Sequence, residues 1–94
     1  MQCKWAYERL ISDDDLHILY NALLPVKDSY VYYPLAVAKR SEVGLNYRFL
    51  CLAVPGKNQE CASHLAVIGV YKPPYGVPYA TCLYKKDFDQ LFPD

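Results

Sequence analysis

No apolar run in the 94-residue chain approaches the roughly 20 positions that a bilayer-spanning helix needs, so no membrane partner is expected. Charge of one sign is also lacking: ten Lys and Arg balance ten Asp and Glu, for a formal net charge of zero. Without a positive field to hold a phosphate backbone, nucleic acid is not an expected partner. The segment Met1-Gln2-Cys3-Lys4-Trp5 lacks the basic start, apolar stretch and small-residue cleavage site of a secretory signal. The expectation is a cytoplasmic protein if Met1 is the natural start. There is no P-loop, no dinucleotide fingerprint and no Gly-x-Ser-x-Gly elbow. Repeats, low-complexity tracts and internal linkers are absent too, which leaves a single domain over 1–94.

What is present is apolar and aromatic. Hydrophobic residues make up 53% of the chain, and the aromatics include ten Tyr. That composition builds a compact core and excludes disorder. A helix is predicted over Ser12 to Leu24. Ser12 is a good N-cap, Asp15 resembles the acidic partner of a capping box, and Asp13, Asp14 and Asp15 crowd the positive end of the helix dipole. Leu16, Leu19, Tyr20 and Leu23 recur at helical spacing as its apolar face, and Pro25 stops it. Capping explains the acidic triplet more simply than a metal site does.

Beyond Pro25 the period changes to two. Strands are predicted at Tyr30 to Lys39, Leu45 to Val54, Ala62 to Tyr71 and Tyr79 to Lys85, with Pro34 near an edge or bulge. Arg40-Ser41-Glu42-Val43-Gly44, Pro55-Gly56-Lys57-Asn58 and the proline-rich stretch Lys72 to Pro78 read as the connections. A further short strand is expected near Lys4 to Arg9. Phe88, Leu91 and Phe92 are expected to pin the tail against the body. Connections this short imply antiparallel hairpins, and the apolar helix face must bury itself on the sheet. The fold class is α+β, with a helix lying on a meander.

Successive turns of a meander alternate between the two ends of the sheet. The 40–44 and 72–78 connections therefore share one end, and the Pro55 turn occupies the other. Binding residues concentrate on loops carried by a rigid scaffold. Tyr75, flanked by prolines, is either a stiff aromatic anchor for a partner or a ring folded over its own hairpin. Among the tyrosines, most are assigned to sheet packing, and Tyr75 and Tyr79 are kept for recognition.

Enzymatic chemistry finds no converging set of residues. Cys61-x-x-His64, with Cys51 or Cys82, offers zinc ligands without any companion CxxC or HxxxH pair. A thiol nucleophile at Cys61 or Cys82, served by His17 or His64, has no spacing argument, and an acid such as Asp28 or Glu42 would need a pocket. No enzyme, cofactor or metal is expected. In a reducing compartment the four cysteines behave as small apolar thiols. One disulfide has a geometric argument: a hairpin turning at Pro55-Gly56-Lys57 would set Cys51 opposite Cys61.

Val43-Gly44-Leu45-Asn46-Tyr47-Arg48-Phe49-Leu50-Cys51 resembles the cystatin stretch in which a glycine, any residue and Asn-Tyr open a strand after the first inhibitory hairpin. Tyr33-Pro34-Leu35-Ala36-Val37-Ala38 is similar to the preceding cystatin strand, and His64 to Tyr71 to the following one. Small bacterial cystatin-like proteins also share a Trp near the start, an acidic-capped helix and an ending like Asp87-Phe88-Asp89. The resemblance covers nearly the whole chain. It implies a cystatin-like fold, with a four- to five-stranded antiparallel sheet wrapped around one α-helix. It also implies a protein partner, a papain-like cysteine protease, met by a wedge of three segments: Met1 to Trp5, Arg40 to Gly44 and Lys72 to Pro78. The binding residues so implied are Lys4, Trp5, Arg40, Ser41, Glu42, Val43, Gly44, Pro74, Tyr75 and Gly76.

The chain departs from the family's Gln-x-Val-x-Gly hairpin. The Gln position is Arg40, the next is Ser41 and the central Val is Glu42; only Gly44 matches. The glycine expected before the helix has no counterpart near Cys3-Lys4. An unpaired charge in a protease cleft is costly, and an exposed Arg40–Glu42 pair would contribute only about 0–1 kcal/mol. A cystatin-fold interaction module with a non-protease partner is therefore the alternative. The chain is expected as a monomer, or as a swapped dimer if the 40–44 hinge opens.

Overall fold

The computed structural model describes residues 5–26, 29–56 and 62–86. Lys4, Cys61, Asp28 and the aromatic tail at Phe88, Leu91 and Phe92 lie outside the described residues, as does the Glu42 side chain. Helix α1 runs Asp13–Leu23. The Asp15 amide donates to Ser12 Oγ at 3.1 Å and the Ser12 amide to Asp15 Oδ2 at 3.2 Å. This reciprocal box satisfies two donors that the first turn would otherwise leave unpaired.

The buried stripe of α1 is rotated from its expected position. Asp15, Leu19 and Ala22 are its buried residues, while Tyr20 is exposed. The spacing is still helical; the difference is that a carboxylate occupies a core-facing place. Lys39 accounts for it, with its ammonium 3.0 Å from Asp15 Oδ1.

Four antiparallel strands follow in the order β1-β2-β3-β4: β1 Tyr30–Glu42, β2 Gly44–Pro55, β3 His64–Lys72 and β4 Tyr79–Lys86. Together with α1 they form an α+β fold. Leu35 is the extra residue of a bulge, because Pro34 faces Cys51 and Ala36 faces Leu50. Pro34 lacks an N–H for the ladder and is tolerated there, on an edge strand. The bulge shifts the alternation so that Tyr32 before it and Val37 after it share the helix face. That face, with Phe49, Cys51 and Ile68, packs on Leu19 and Ala22. Phe49 is fully buried, and truncating such a ring costs about 3–5 kcal/mol.

The opposite face has its own buried cluster of Ala36, Leu50, Leu65 and Val67, with Tyr7 packed against it. In place of the short strand expected before the helix, the described residues show one bridge: Glu8 exchanges two backbone hydrogen bonds of 2.8 Å with Val37. This clips the N-terminal segment to the free edge of β1.

Two expectations are corrected. The 40–44 segment is no loop. Arg40 pairs with Asn46, Ser41 with Leu45 and Glu42 with Gly44, so Val43 alone forms the turn. The charges of Arg40 and Glu42 interrupt the apolar pattern without interrupting the backbone ladder. Cys61 lies outside the described residues, and Cys51 forms no disulfide. Its partner across the ladder is Ala66, and it is a buried free thiol. The connection after β2 is longer than the tight hairpin that pairing required.

Candidate protein-binding edge

The turn at Val43 and the 73–78 connection lie together at one end of the sheet, as the meander order requires. The join is direct: the Tyr71 hydroxyl donates to the Val43 carbonyl at 2.6 Å. Gly44 completes the junction. Its φ is +85°, and a Cβ there would stand 2.6 Å from the Lys72 carbonyl oxygen. Only a residue without a side chain meets both demands.

From this junction three apolar side chains project. Val43 and Val77 are each 76% exposed, and Tyr75 is 95% exposed. The choice left open for Tyr75 is therefore resolved in favour of a projecting ring. Pro74 beside it is exposed, and Gly76 carries a φ of +127° with Pro73 Cγ 3.3 Å from where its Cβ would be. Prolines restrict the backbone on either side, so the ring is presented with little flexibility. Tyr79 is half exposed and meets Tyr71 edge-on, with centroids 5.7 Å apart.

Ser41 is exposed beside the turn. Arg40 points elsewhere. Its guanidinium carbon lies 4.8 Å from the Trp5 ring centroid, and that of Arg48 lies 4.6 Å from the same centroid. Both arginines occupy the face turned away from α1, since Arg40 pairs with Asn46 and Arg48 stands two residues further along β2. Arg48 was not among the expected site residues. Reflection of the hairpin about Val43 would have found it, because that operation sets Arg48 diagonal to Arg40.

At the opposite end, a pocket of about 260 Å³ lies between the C-terminal part of α1 and the start of β1. Its lining includes Tyr20, Leu23, Val26 and Tyr33. No group of three or more His, Cys, Asp or Glu that could hold a metal occurs among the described residues. His64 rests edge-on against Tyr30, with centroids 5.0 Å apart. Burial pushes the Cys51 thiol up to about 12, which keeps it protonated and unreactive.

The Lys39 ammonium is held above its ordinary value, chiefly by its hydrogen bond to Asp15, although burial opposes this. Tyr47 is raised as well, first by burial and then by the Asp15 charge. These groups brace the helix on the sheet and take no part in the exposed edge. Compared with known proteins, the chain matches no family model, no curated protein and no solved structure.

Proposed function

We propose that this protein is a non-enzymatic binding module of cystatin-like fold that inhibits a papain-like cysteine protease. The Val43 hairpin tip and the 72–78 loop enter the substrate cleft together. The observation that carries this reading is the abutment of the two turns through Tyr71 and Val43, with apolar tips projecting beyond it. Trp5 supports the reading, since it rests on Arg40 and so lies against one of the same two segments.

Val43 and Tyr75 act as anchors in this mechanism. A rigid tyrosine buries much area at little entropic cost, and truncating such an anchor typically costs on the order of 2 kcal/mol of binding. Gly44 holds the tip in the conformation that keeps the two turns in register. The inhibitor blocks by occupation: it fills the cleft without offering a peptide bond for attack.

A second reading is favoured by one observation. Arg40 stands where the inhibitory hairpin has an uncharged residue, and it is stacked on Trp5. A desolvating cleft penalises such a charge unless it is paired. On this reading the same edge serves an interaction module whose partner is not a protease.

The test is a titration against a panel of papain-like proteases, with Gly44→Glu as the control. Inhibition at micromolar concentration or below, abolished by the substitution, is the expected result. Flat curves at high micromolar concentration would remove the protease reading. Size-exclusion chromatography run alongside separates a monomer from a swapped dimer.

A further inference from the structure

We propose that the outer edge of β4 pairs with the same edge of a second copy of this chain, antiparallel about a two-fold axis at Tyr84. The pairing joins two four-stranded sheets into one. The observation is that two rows of core side chains cross the sheet and stop unfinished at β4. On the face away from α1 the row is Ala36, Leu50, Val67 and Tyr84; on the helix face it is Val37, Phe49, Ile68 and Leu83. The members on β1, β2 and β3 are all buried, whereas Tyr84 is 42% exposed and Leu83 38%. The opposite edge, on β1, is clipped by Glu8 through its bonds to Val37. Among the described residues no strand or bridge closes the edge of β4. An open edge with apolar side chains on both faces is a template for a further strand.

The register follows from the pleat. A two-fold axis perpendicular to the sheet keeps each face continuous only when it passes through a residue, not between two. Thr81 is the extra residue of a bulge, because Gly69 faces Cys82 and Val70 faces Ala80. The regular stretch of β4 is therefore Cys82 to Lys86, and its centre is Tyr84. About that centre Tyr84 meets Tyr84 of the second copy. Leu83 lies beside the aliphatic stem of Lys85, and Cys82 beside that of Lys86. Both open rows are thereby continued by side chains that cover them.

Charge selects the same arrangement. Lys85 and Lys86 sit together at one end of β4. A parallel second copy in register would set lysine against lysine, and an axis moved to Lys85 would set that residue against itself. Like charges directly opposite are destabilising, and the axis at Tyr84 keeps all four ammonium groups apart. Antiparallel pairing also turns the second copy end for end. The Val43 turn and Tyr75 then project from opposite ends of the joined sheet, so neither binding edge is covered. Dimerisation does not depend on what those edges bind.

So short a pairing buries less than the roughly 1,200 Å² of a standard stable interface, so the dimer is weak and forms as concentration rises. Sedimentation velocity of the full chain under reducing conditions, from low to high micromolar concentration, is the test. The expected result is a monomer that becomes a dimer and reverts rapidly on dilution. Tyr84→Lys places two ammonium groups at the axis and raises the concentration needed at least about tenfold. Unchanged far-ultraviolet circular dichroism in that variant checks that the fold persists. Tyr84→Cys sets two thiols directly opposite, within disulfide reach, and oxidised glutathione links the copies with the bond mapped to position 84 by mass spectrometry. A chain that stays monomeric at every concentration overturns the proposal. So does a dimer indifferent to Tyr84→Lys, as exchange of the helix between copies would give, or one that forms no link at position 84.

Discussion

The hydroxyl of Tyr71 on β3 donates to the carbonyl of Val43 at 2.6 Å, tying the Val43 turn to the strand that leads into the 73–78 connection, across 28 positions in sequence. Both turns are short excursions from the ladder, and each alone would be free to move. Joined, they form one edge in which the position of Val43 sets that of the 73–78 loop. A rigid edge binds better than two loose tips because less ordering entropy is lost on docking.

Replacing Tyr71 with Phe keeps the ring against Tyr79 and removes only the donor. The Val43 carbonyl is solvent-accessible and finds water, so the loss of stability falls at the low end for a hydrogen bond, about 0.5–1 kcal/mol. On the proposed reading of this edge, the effect on partner binding is larger than on folding, because the hydroxyl holds the Val43 turn against β3. Urea denaturation and inhibition or binding curves on the same variant measure the two effects. A variant weakened in folding but unchanged in binding would contradict the alignment argument.

Gly44→Ala tests the junction from the other side. The new methyl meets the Lys72 carbonyl oxygen at 2.6 Å and the Tyr71 hydroxyl at 2.9 Å, on a backbone with φ of +85°. Neither β3 nor the turn yields without breaking the Tyr71–Val43 bond. The expected cost is about 1–3 kcal/mol, read as a lowered urea midpoint. Ser41→Ala, three positions earlier on β1 and exposed, is the control and changes stability by less than about 0.5 kcal/mol.

The Asp15–Lys39 pair makes an asymmetric prediction. Asp15 is nearly fully buried, whereas the Lys39 side chain is 45% exposed. Asp15→Asn leaves a lysine that water solvates, and the new amide still accepts from the Ser12 N–H. Lys39→Met strands a buried carboxylate, which is the costlier half of a broken pair. The expected loss is about 2 kcal/mol for Lys39→Met and about 1 kcal/mol for Asp15→Asn, partly screened at the exposed end. Thermal melts of the two variants decide the order. A larger loss for Asp15→Asn would mean that the stranded carboxylate is not the costlier half of the broken pair.

Much of this architecture can be read from local pattern. Ser12 and Asp15 announce the helix start because a cap needs only four adjacent residues. Pro34 announces a bulge because it has no donor for the ladder. The sharing of one end by two turns follows from chain order alone, with no knowledge of distances. What local pattern does not reveal is pairing across the fold. The burial of Asp15 depends on Lys39, 24 positions away, and so the helix stripe is read with Tyr20 inside and Asp15 outside. Arg40 and Glu42 break the apolar alternation, yet Gly44 lets the ladder run on to a turn of one residue. The placement of Cys51 opposite Ala66 depends on the length of the connection after Pro55, which composition does not specify. The arginines at Trp5 come together only once the hairpin is closed about Val43.

The last prediction concerns alkaline pH. Cys51, Tyr47 and Lys39 all lose protons less readily in the folded chain than their ordinary values of 9.0, 10.0 and 10.5 would allow. Burial keeps Cys51 and Tyr47 neutral, and the hydrogen bond to Asp15 keeps Lys39 charged. In each case the folded state binds the proton more tightly than the unfolded state does, so stability falls as pH rises. The contribution is complete below pH 9.0, where all three are protonated in both states. It declines first as the unfolded thiol ionises, and continues to fall until the folded Cys51 thiol titrates at about 12. Urea midpoints are therefore expected to be flat from neutral pH to about 9 and to drop steadily above it. Cys51→Ala, although it lowers stability at every pH by leaving a small cavity, flattens the first part of that decline. The same burial predicts that a thiol reagent at pH 8 modifies the exposed Cys82 promptly and Cys51 only on unfolding. Mass mapping of the modified peptides checks this, and prompt labelling of Cys51 in the native protein would mean that β2 opens far more readily than its burial allows.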